Sequence, residues 1–210
     1  MNIAIYLDKN ARDMSISESI IFASEIVLSS LIIKELLILK DAFEKSTKGN
    51  LSPDEYKKII SPFIFESYID AFKICTYFEN YSKAILLNKG YLIHTIKNSL
   101  PYSELKIRQR KEPCPVKDFI TFGTSFRDLS PEYLLNEGLT NNTLSPSLMY
   151  QTNYKKVIGL PDEIFKTVEY LTNKRNELHF LNDWQIVFST SFLKSLEIIK
   201  TFVKKQISIK

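Results

Sequence analysis

The stretch IIFASEIVLSSLIIKELLIL, residues 20–39, is the most apolar part of the chain. Apolar residues recur in it at spacings of three and four, which predicts an α-helix with a broad apolar face. Such a helix lies either at the centre of a bundle or at a dimer interface. Glu25, Lys34 and Glu35 interrupt the stretch, and each would cost several kcal/mol in mid-span of a bilayer. We therefore predict a buried helix and no membrane segment.

The composition favours a helical, globular protein. Of the 210 residues, 44% are apolar and 25% are charged, and only five are glycine. The formal net charge of +4 is compatible with an RNA partner but does not require one. Cys75 and Cys114 have no CxxC spacing, so we expect reduced thiols in a cytoplasmic protein, with neither a metal nor a cofactor.

Start and stop signals divide the first hundred residues into helices. The helix through residues 20–39 is predicted to begin at Ser15 or Ser17 and to end near Lys48-Gly49. The next begins at Ser52-Pro53-Asp54-Glu55, which combines an N-cap, a proline at the first helical position and a capping box.

A proline and a glycine set the expected limits of the next two helices. Pro62 should end or kink the short helix, because proline lacks the backbone donor that a helix interior uses. A long helix is predicted from Phe63 to Asn98, with Gly90 as a candidate break and Pro101 as the stop.

Residues 101–160 have a different sequence pattern from the predicted helices, because prolines and glycines interrupt the apolar periodicity at short intervals. We predict an irregular insertion of short helical turns here, with a brief strand pairing around Phe119 to Phe122. Periodicity returns at Pro161-Asp162-Glu163, and the helix beginning there should end around Asn182-Asp183. Asp183 is the expected cap of a last helix from Trp184 to Ser208.

These elements together predict an all-α protein of one domain. The expected architecture is a helical bundle of four to six helices, with the irregular insertion 101–160 between the third and fourth long helices.

One segment near the C-terminus combines residue types that suit RNA chemistry: Arg175-Asn176-Glu177-Leu178-His179. On a helix, positions 175 and 179 project from the same face. The imidazole of His179 could move the proton of a 2′-hydroxyl, while Arg175 holds the phosphate as charge develops on it. The alternative is that both are solvated surface residues, with Glu169 or Glu177 as routine ion-pair partners.

The run from Tyr170 to Phe180, YLTNKRNELHF, resembles the characteristic segment of the HEPN superfamily, an all-helical family with an Arg-polar…His element near the end of the penultimate helix. Three residues separate Arg175 from His179, and Lys174 would give the longer spacing of four. The resemblance implies a metal-independent RNA endonuclease, commonly a dimer, that leaves a 2′,3′-cyclic phosphate. Many members act in phage defence or as toxins held by an antitoxin; others are inactive scaffolds or nucleotide-binding modules.

In that comparison His179 is the general base or acid, Arg175 the phosphate clamp and Asn176 the positioning group. Further RNA contacts are expected from Lys174 and from four cations in a single run. That run is Lys106-Ile107-Arg108-Gln109-Arg110-Lys111, for which the alternative is a solvated loop paired with Glu104 and Glu112. Lys155-Lys156 is a weaker patch of the same kind.

Two other features have simpler interpretations. His94 lies in an apolar stretch and is interpreted as a satisfied core or surface histidine rather than a ligand. The broad apolar helix supports a second function, in which the same bundle is a non-catalytic scaffold that binds a regulatory protein or a second copy of itself.

Overall fold

A computed structural model describes the backbone of residues 3–28, 32–179 and 190–208. Helices dominate these ranges, and two short strands form the only sheet found in them, so the prediction of an all-α protein is confirmed. No helix in the described ranges has the length and apolarity that a bilayer crossing requires. In chain order the elements are α1 (Ala4–Leu7), α2 (Lys9–Leu28), α3 (Ile32–Thr47), α4 (Pro53–Asn88), β1 (His94–Ile96), α5 (Ser103–Gln109), α6 (Val116–Thr124), α7 (Pro131–Gly138), β2 (Leu139–Thr143), α8 (Pro146–Met149), α9 (Thr152–Ile158), α10 (Asp162–His179) and α11 (Thr190–Ser208).

The chain divides into two compact units, each made of two segments. The first unit comprises Met1–Ile21 and Glu79–Leu160, and the second comprises Phe22–Phe78 and Pro161–Lys210. Helices α2 and α4 each contribute residues to both units. The prediction of a single domain stays a prediction.

The first unit has a core of aromatic and aliphatic side chains drawn from short elements. Tyr102 and Phe119 stack with ring centroids 5.4 Å apart, and Leu92 and Ile96 are fully buried in the same core. Strands β1 and β2 pair antiparallel, with Ile96 opposite Leu139 and an irregularity in the register. Apolar contacts between distant segments therefore hold this unit together.

Gln109 closes the open side of β1. Its amide nitrogen donates to the carbonyl of His94, and its amide oxygen accepts from the backbone N–H of Ile96, both at 2.9 Å. Gln109 itself is buried, and its backbone carbonyl accepts a hydrogen bond from the Tyr154 hydroxyl at 2.7 Å. A side-chain amide thus takes the place of a third strand, which satisfies backbone groups that would otherwise be unpaired.

The second unit is built from long helices. Helix α10 packs against α11, and α11 packs against α3. Phe78 and Phe202 contact each other with ring centroids 5.7 Å apart, and Lys40 pairs with Glu197 at 2.8 Å. The buried apolar residues of the long helices in this unit include Leu39, Ala42, Ala71, Ile74, Cys75, Phe78, Ile164, Phe165, Val168, Leu171, Leu196, Ile199 and Val203.

Several predicted helix limits are wrong, and each has a physical reason. Helix α2 begins at Lys9, because the Asp8 side chain accepts from the Asn10 N–H at 2.9 Å and caps the helix earlier than Ser15 or Ser17. By contrast, the predicted capping box is confirmed. The Ser52 hydroxyl and backbone N–H both donate to Glu55 Oε2, which lowers the pKa of that carboxyl, and the Glu55 N–H donates to Ser52 Oγ.

Pro62 neither ends nor interrupts α4, which runs through it for 36 residues. In a regular helix the N–H of residue 62 would donate to the carbonyl of Lys58, but proline has no N–H. Pro62 and Lys58 are both exposed, so water can bond to that carbonyl instead. The helix then ends at Asn88 rather than Asn98. The N–H of Gly90 donates to the carbonyl of Leu87. Gly90 adopts a left-handed backbone conformation, with φ 79°, and the chain leaves the helix there.

The segment 101–160 contains the predicted short helical turns, which are helices α5 to α9. The expected strand at Phe119–Phe122 is wrong, because those residues lie in α6; the strand is β2, twenty residues later. At the C-terminus, Asn182, Asp183 and Trp184 lie outside the described residues, and α11 is described from Thr190.

Candidate functional site

The residues of the RNA-cleavage hypothesis lie in the last turns of α10. The helix begins as predicted at Asp162, with the Ile164 and Phe165 N–H groups bonded to the carbonyl of Pro161. Its backbone continues to His179, so Arg175, Asn176 and His179 all belong to one continuous helix. The side chains of residues 174–180 lie outside the described part of the structure, and so do any contacts of Lys174, Arg175, Asn176 and His179.

The buried face of α10 shows where the motif falls on the helix. Ile164, Val168 and Leu171 are buried on one line of the helix, while Lys166 and Asn173 are exposed on the opposite line. One turn of about 3.6 residues after Leu171 reaches position 175, two turns reach position 178, and position 179 lies one residue further round the helix. Position 175 therefore lies on the same line of the helix as Ile164, Val168 and Leu171, and position 179 lies on the flank of that line.

The second candidate region is the cationic run of the first unit, and the structure divides its members. Arg108 hydrogen-bonds Glu112, which raises the pKa of the arginine. The predicted alternative is therefore right about Glu112 as a partner, but the expected loop is wrong, because Arg108 lies in α5. Lys106 is partly buried, and burial together with nearby Arg110 lowers its pKa. Arg110 and Lys111 are exposed.

A polar cluster around His94 was not among the predicted sites. The Tyr6 hydroxyl accepts hydrogen bonds from the N–H groups of Ile93, at 3.2 Å, and His94, at 3.0 Å. It also contacts His94 Nδ1 within hydrogen-bond distance. Since the phenol oxygen already accepts twice, its single proton is directed at Nδ1, which leaves the imidazole neutral with its proton on Nε2.

The electrostatics of this cluster agree with its geometry. Burial lowers the pKa of His94, and the positive charge of Lys83 lowers it further. Burial also raises the pKa of Tyr6, although the two backbone donors oppose that shift. The interpretation of His94 as a satisfied histidine is thus confirmed, whereas its predicted place in a helix is wrong, because it lies in β1.

Sequence reasoning missed Tyr6, Gln109 and Asn153, each of which bonds to a residue far away in the chain. Their partners lie 13 to 88 residues off in sequence, so no spacing rule connects them. The sequence offered one signal: a polar residue within an apolar stretch is expected to be buried and hydrogen-bonded. We used that signal for His94 alone. Comparison of the chain with known protein families, curated proteins and solved structures gave no match.

Proposed function

We propose that the protein is a metal-independent RNA endonuclease of the HEPN type, with its catalytic residues at the end of α10. One observation carries the proposal. Arg175, Asn176 and His179 belong to one continuous helix, in which positions 175 and 179 are four residues apart and therefore share a face. An arginine and a histidine on one helix face can together hold an RNA phosphate and move the proton of the neighbouring hydroxyl.

The chemistry needs only the three residues of the motif. His179 takes the proton of a ribose 2′-hydroxyl, and the resulting oxygen attacks the adjacent phosphorus. The bond from phosphorus to the 5′-oxygen breaks, and the 5′-oxygen takes the proton that His179 had accepted, leaving a 2′,3′-cyclic phosphate and a 5′-hydroxyl. Arg175 holds the phosphate oxygens by a bidentate hydrogen bond, and Asn176 positions the imidazole or the sugar.

The same proposal includes the partners that such nucleases commonly have. We propose a cytoplasmic homodimer whose two motifs face one RNA, acting in phage defence or in a toxin–antitoxin pair. An antitoxin or another regulatory protein would then hold the activity in check. Lys174 and the exposed cations Arg110 and Lys111 are the proposed additional contacts to RNA.

The test is cleavage of total RNA in EDTA by the purified protein and its variants. Wild type should cleave and leave cyclic-phosphate ends, while His179→Ala and Arg175→Ala should each lose about 10²- to 10⁴-fold in rate. The matched controls are Lys166→Ala, an exposed cation of α10, and His94→Gln, the only other histidine. Equal rates for wild type and both motif variants would overturn the proposal.

A second function, a non-catalytic HEPN-like scaffold that binds a protein, is favoured by exposed apolar side chains on α2 and α3. In the second unit Phe22 is 62% exposed, Leu37 is 70% exposed and Ile38 is 50% exposed. Apolar exposure of this kind is typical of a surface that another chain covers. Under this function Leu37→Ser would abolish self-association or partner binding, and wild type would be as inert toward RNA as His179→Ala.

A further inference from the structure

Two cationic segments that are far apart in the sequence meet in the first unit. The side chain of Asn153, at the start of α9, donates from Nδ2 to the carbonyl of Lys111 at 3.1 Å. Next to it, the buried Tyr154 donates from its hydroxyl to the carbonyl of Gln109 at 2.7 Å. These two contacts fix α9 beside the end of the run 106–111, and so bring Lys156 to the same surface as Arg110 and Lys111.

The exposed side chains of α9 are cationic or neutral. Tyr154 and Ile158 bury one face of α9, whereas Thr152, Asn153 and Lys156 are exposed on the other. Lys156 lies one helical turn from Asn153, which itself contacts Lys111. No aspartate or glutamate occurs between residues 138 and 161. Helix α9 therefore adds positive charge and no negative charge to this surface.

Some cations of this surface already bond to other groups of the protein, and others form no ion pair. Arg108 bonds to Glu112, and Lys89 donates to the carbonyl of Val157 at the end of α9. Within the described ranges, Arg110, Lys111 and Lys156 make no ion pair with an acid. The nearest acid of the run, Glu112, is occupied by Arg108, so the described part of the fold leaves these three exposed charges uncompensated.

We infer that Arg110, Lys111 and Lys156 form a phosphate-binding surface for RNA. The inference rests on the proposed ribonuclease function, since that function selects RNA among the polyanions the surface could hold. Three cations on one face bind successive phosphates and release their counterions, and the neighbouring Thr152 offers a hydroxyl to phosphate or sugar oxygens. Such contacts hold RNA without reading its sequence.

The experiment measures binding of a labelled single-stranded RNA by anisotropy, in EDTA, at a series of salt concentrations. All proteins carry His179→Ala, so that the probe is not cleaved. The surface variant is Arg110→Gln/Lys111→Gln/Lys156→Gln, and the control is Lys57→Gln/Lys58→Gln/Lys166→Gln, which removes three exposed cations of the second unit. Only the backbone of Lys111 takes part in the Asn153 bond, so the surface variant keeps that contact.

The expected result is a change in the salt dependence as well as in affinity. Losing three phosphate contacts should reduce the slope of log K against log salt by about 2, at roughly 0.7 per contact for single strands. The control should retain the slope of its parent. Equal loss in both variants would show a net-charge effect only, and would overturn the inference.

Two further outcomes separate this inference from the proposed function. If the parent binds RNA through these cations but the unmutated protein cleaves none, the surface stands and the ribonuclease function fails. If the unmutated protein cleaves RNA and the surface variant binds as its parent does, the inference fails alone. Binding of the parent to poly-glutamate but not to RNA, lost in the surface variant, would assign the surface to an acidic protein, which also overturns it.

Discussion

The two units of this protein are stabilised in different ways. Most helices of the first unit have four to nine residues, and single polar side chains such as Tyr6, Gln109 and Tyr154 tie them to distant backbone groups. The second unit is made of long helices whose apolar faces pack along their length. Short helices have little stability of their own in water, so the first unit depends on its long-range contacts.

This difference bears on which substitutions the protein tolerates. In the second unit, loss of one side chain is spread over many neighbouring contacts. In the first unit, one hydroxyl or one amide bonds to two backbone groups at once, and its removal takes a partner from both of them. Three predictions, from the largest expected effect to the smallest, test this comparison.

Tyr6→Phe should lower the free energy of unfolding by about 2–3 kcal/mol, because it removes the shared acceptor of two backbone donors and the donor to His94. Urea unfolding gives the magnitude. Hydrogen exchange shows where it acts: amides in residues 79–160 should exchange faster, while those of α10 and α11 should not.

The matched control is Tyr133→Phe, which removes a hydroxyl from a side chain that is 53% exposed and should be nearly neutral. Uniform acceleration of exchange across both units after Tyr6→Phe would contradict the comparison. It would mean that the units unfold as one cooperative structure.

Gly138→Ala should cost about 1–2 kcal/mol, because a Cβ there would lie 2.5 Å from Phe119 Cζ and 3.0 Å from the ring of Tyr102. Both rings are buried and stacked, so neither can move aside easily. Gly123→Ala is the comparison and should cost less, since its Cβ would lie 2.8 Å from Leu134 Cδ2, the end of an aliphatic side chain that can change rotamer more easily than a stacked ring can move. Thermal melts should show a lower midpoint for Gly138→Ala; equal midpoints would show that the stacked pair adapts.

The sequence predicted the second unit better than the first, and periodicity explains why. The start of α10 at Asp162 and its buried line through Ile164, Val168 and Leu171 follow from local spacing and a proline-acid opening. The capping box at Ser52 likewise depends on residues three apart. Such signals are confined to one element, so a single sequence contains them.

The first unit depends on pairings that one sequence does not reveal. Nothing local indicates that Gln109 replaces a strand beside β1, or that residues 94–96 are extended rather than helical. The same difference between local and long-range information applies to the candidate functional residues. The placement of the motif on one helix was predictable, whereas the contact that brings Lys156 beside Lys111 required the fold.

The smallest of the three effects is a dependence of stability on pH that originates at His94. Its pKa is lowered in the folded protein, chiefly by burial, so below about pH 6.5 the unfolded chain binds a proton that the folded chain does not. Stability from this group is complete above that pH and is lost as the pH falls toward the folded pKa. Protonation would also place a hydrogen on Nδ1, and the Tyr6 oxygen would then face three donors with only two lone pairs.

The variant His94→Gln has an acceptor that does not titrate at this position. The unfolding free energy of this variant should therefore fall less than that of wild type between pH 7.5 and pH 5. The stability of His179→Gln should depend on pH as that of wild type does. If that variant loses the pH dependence, the titrating group is His179 in α10 and not His94 in the first unit.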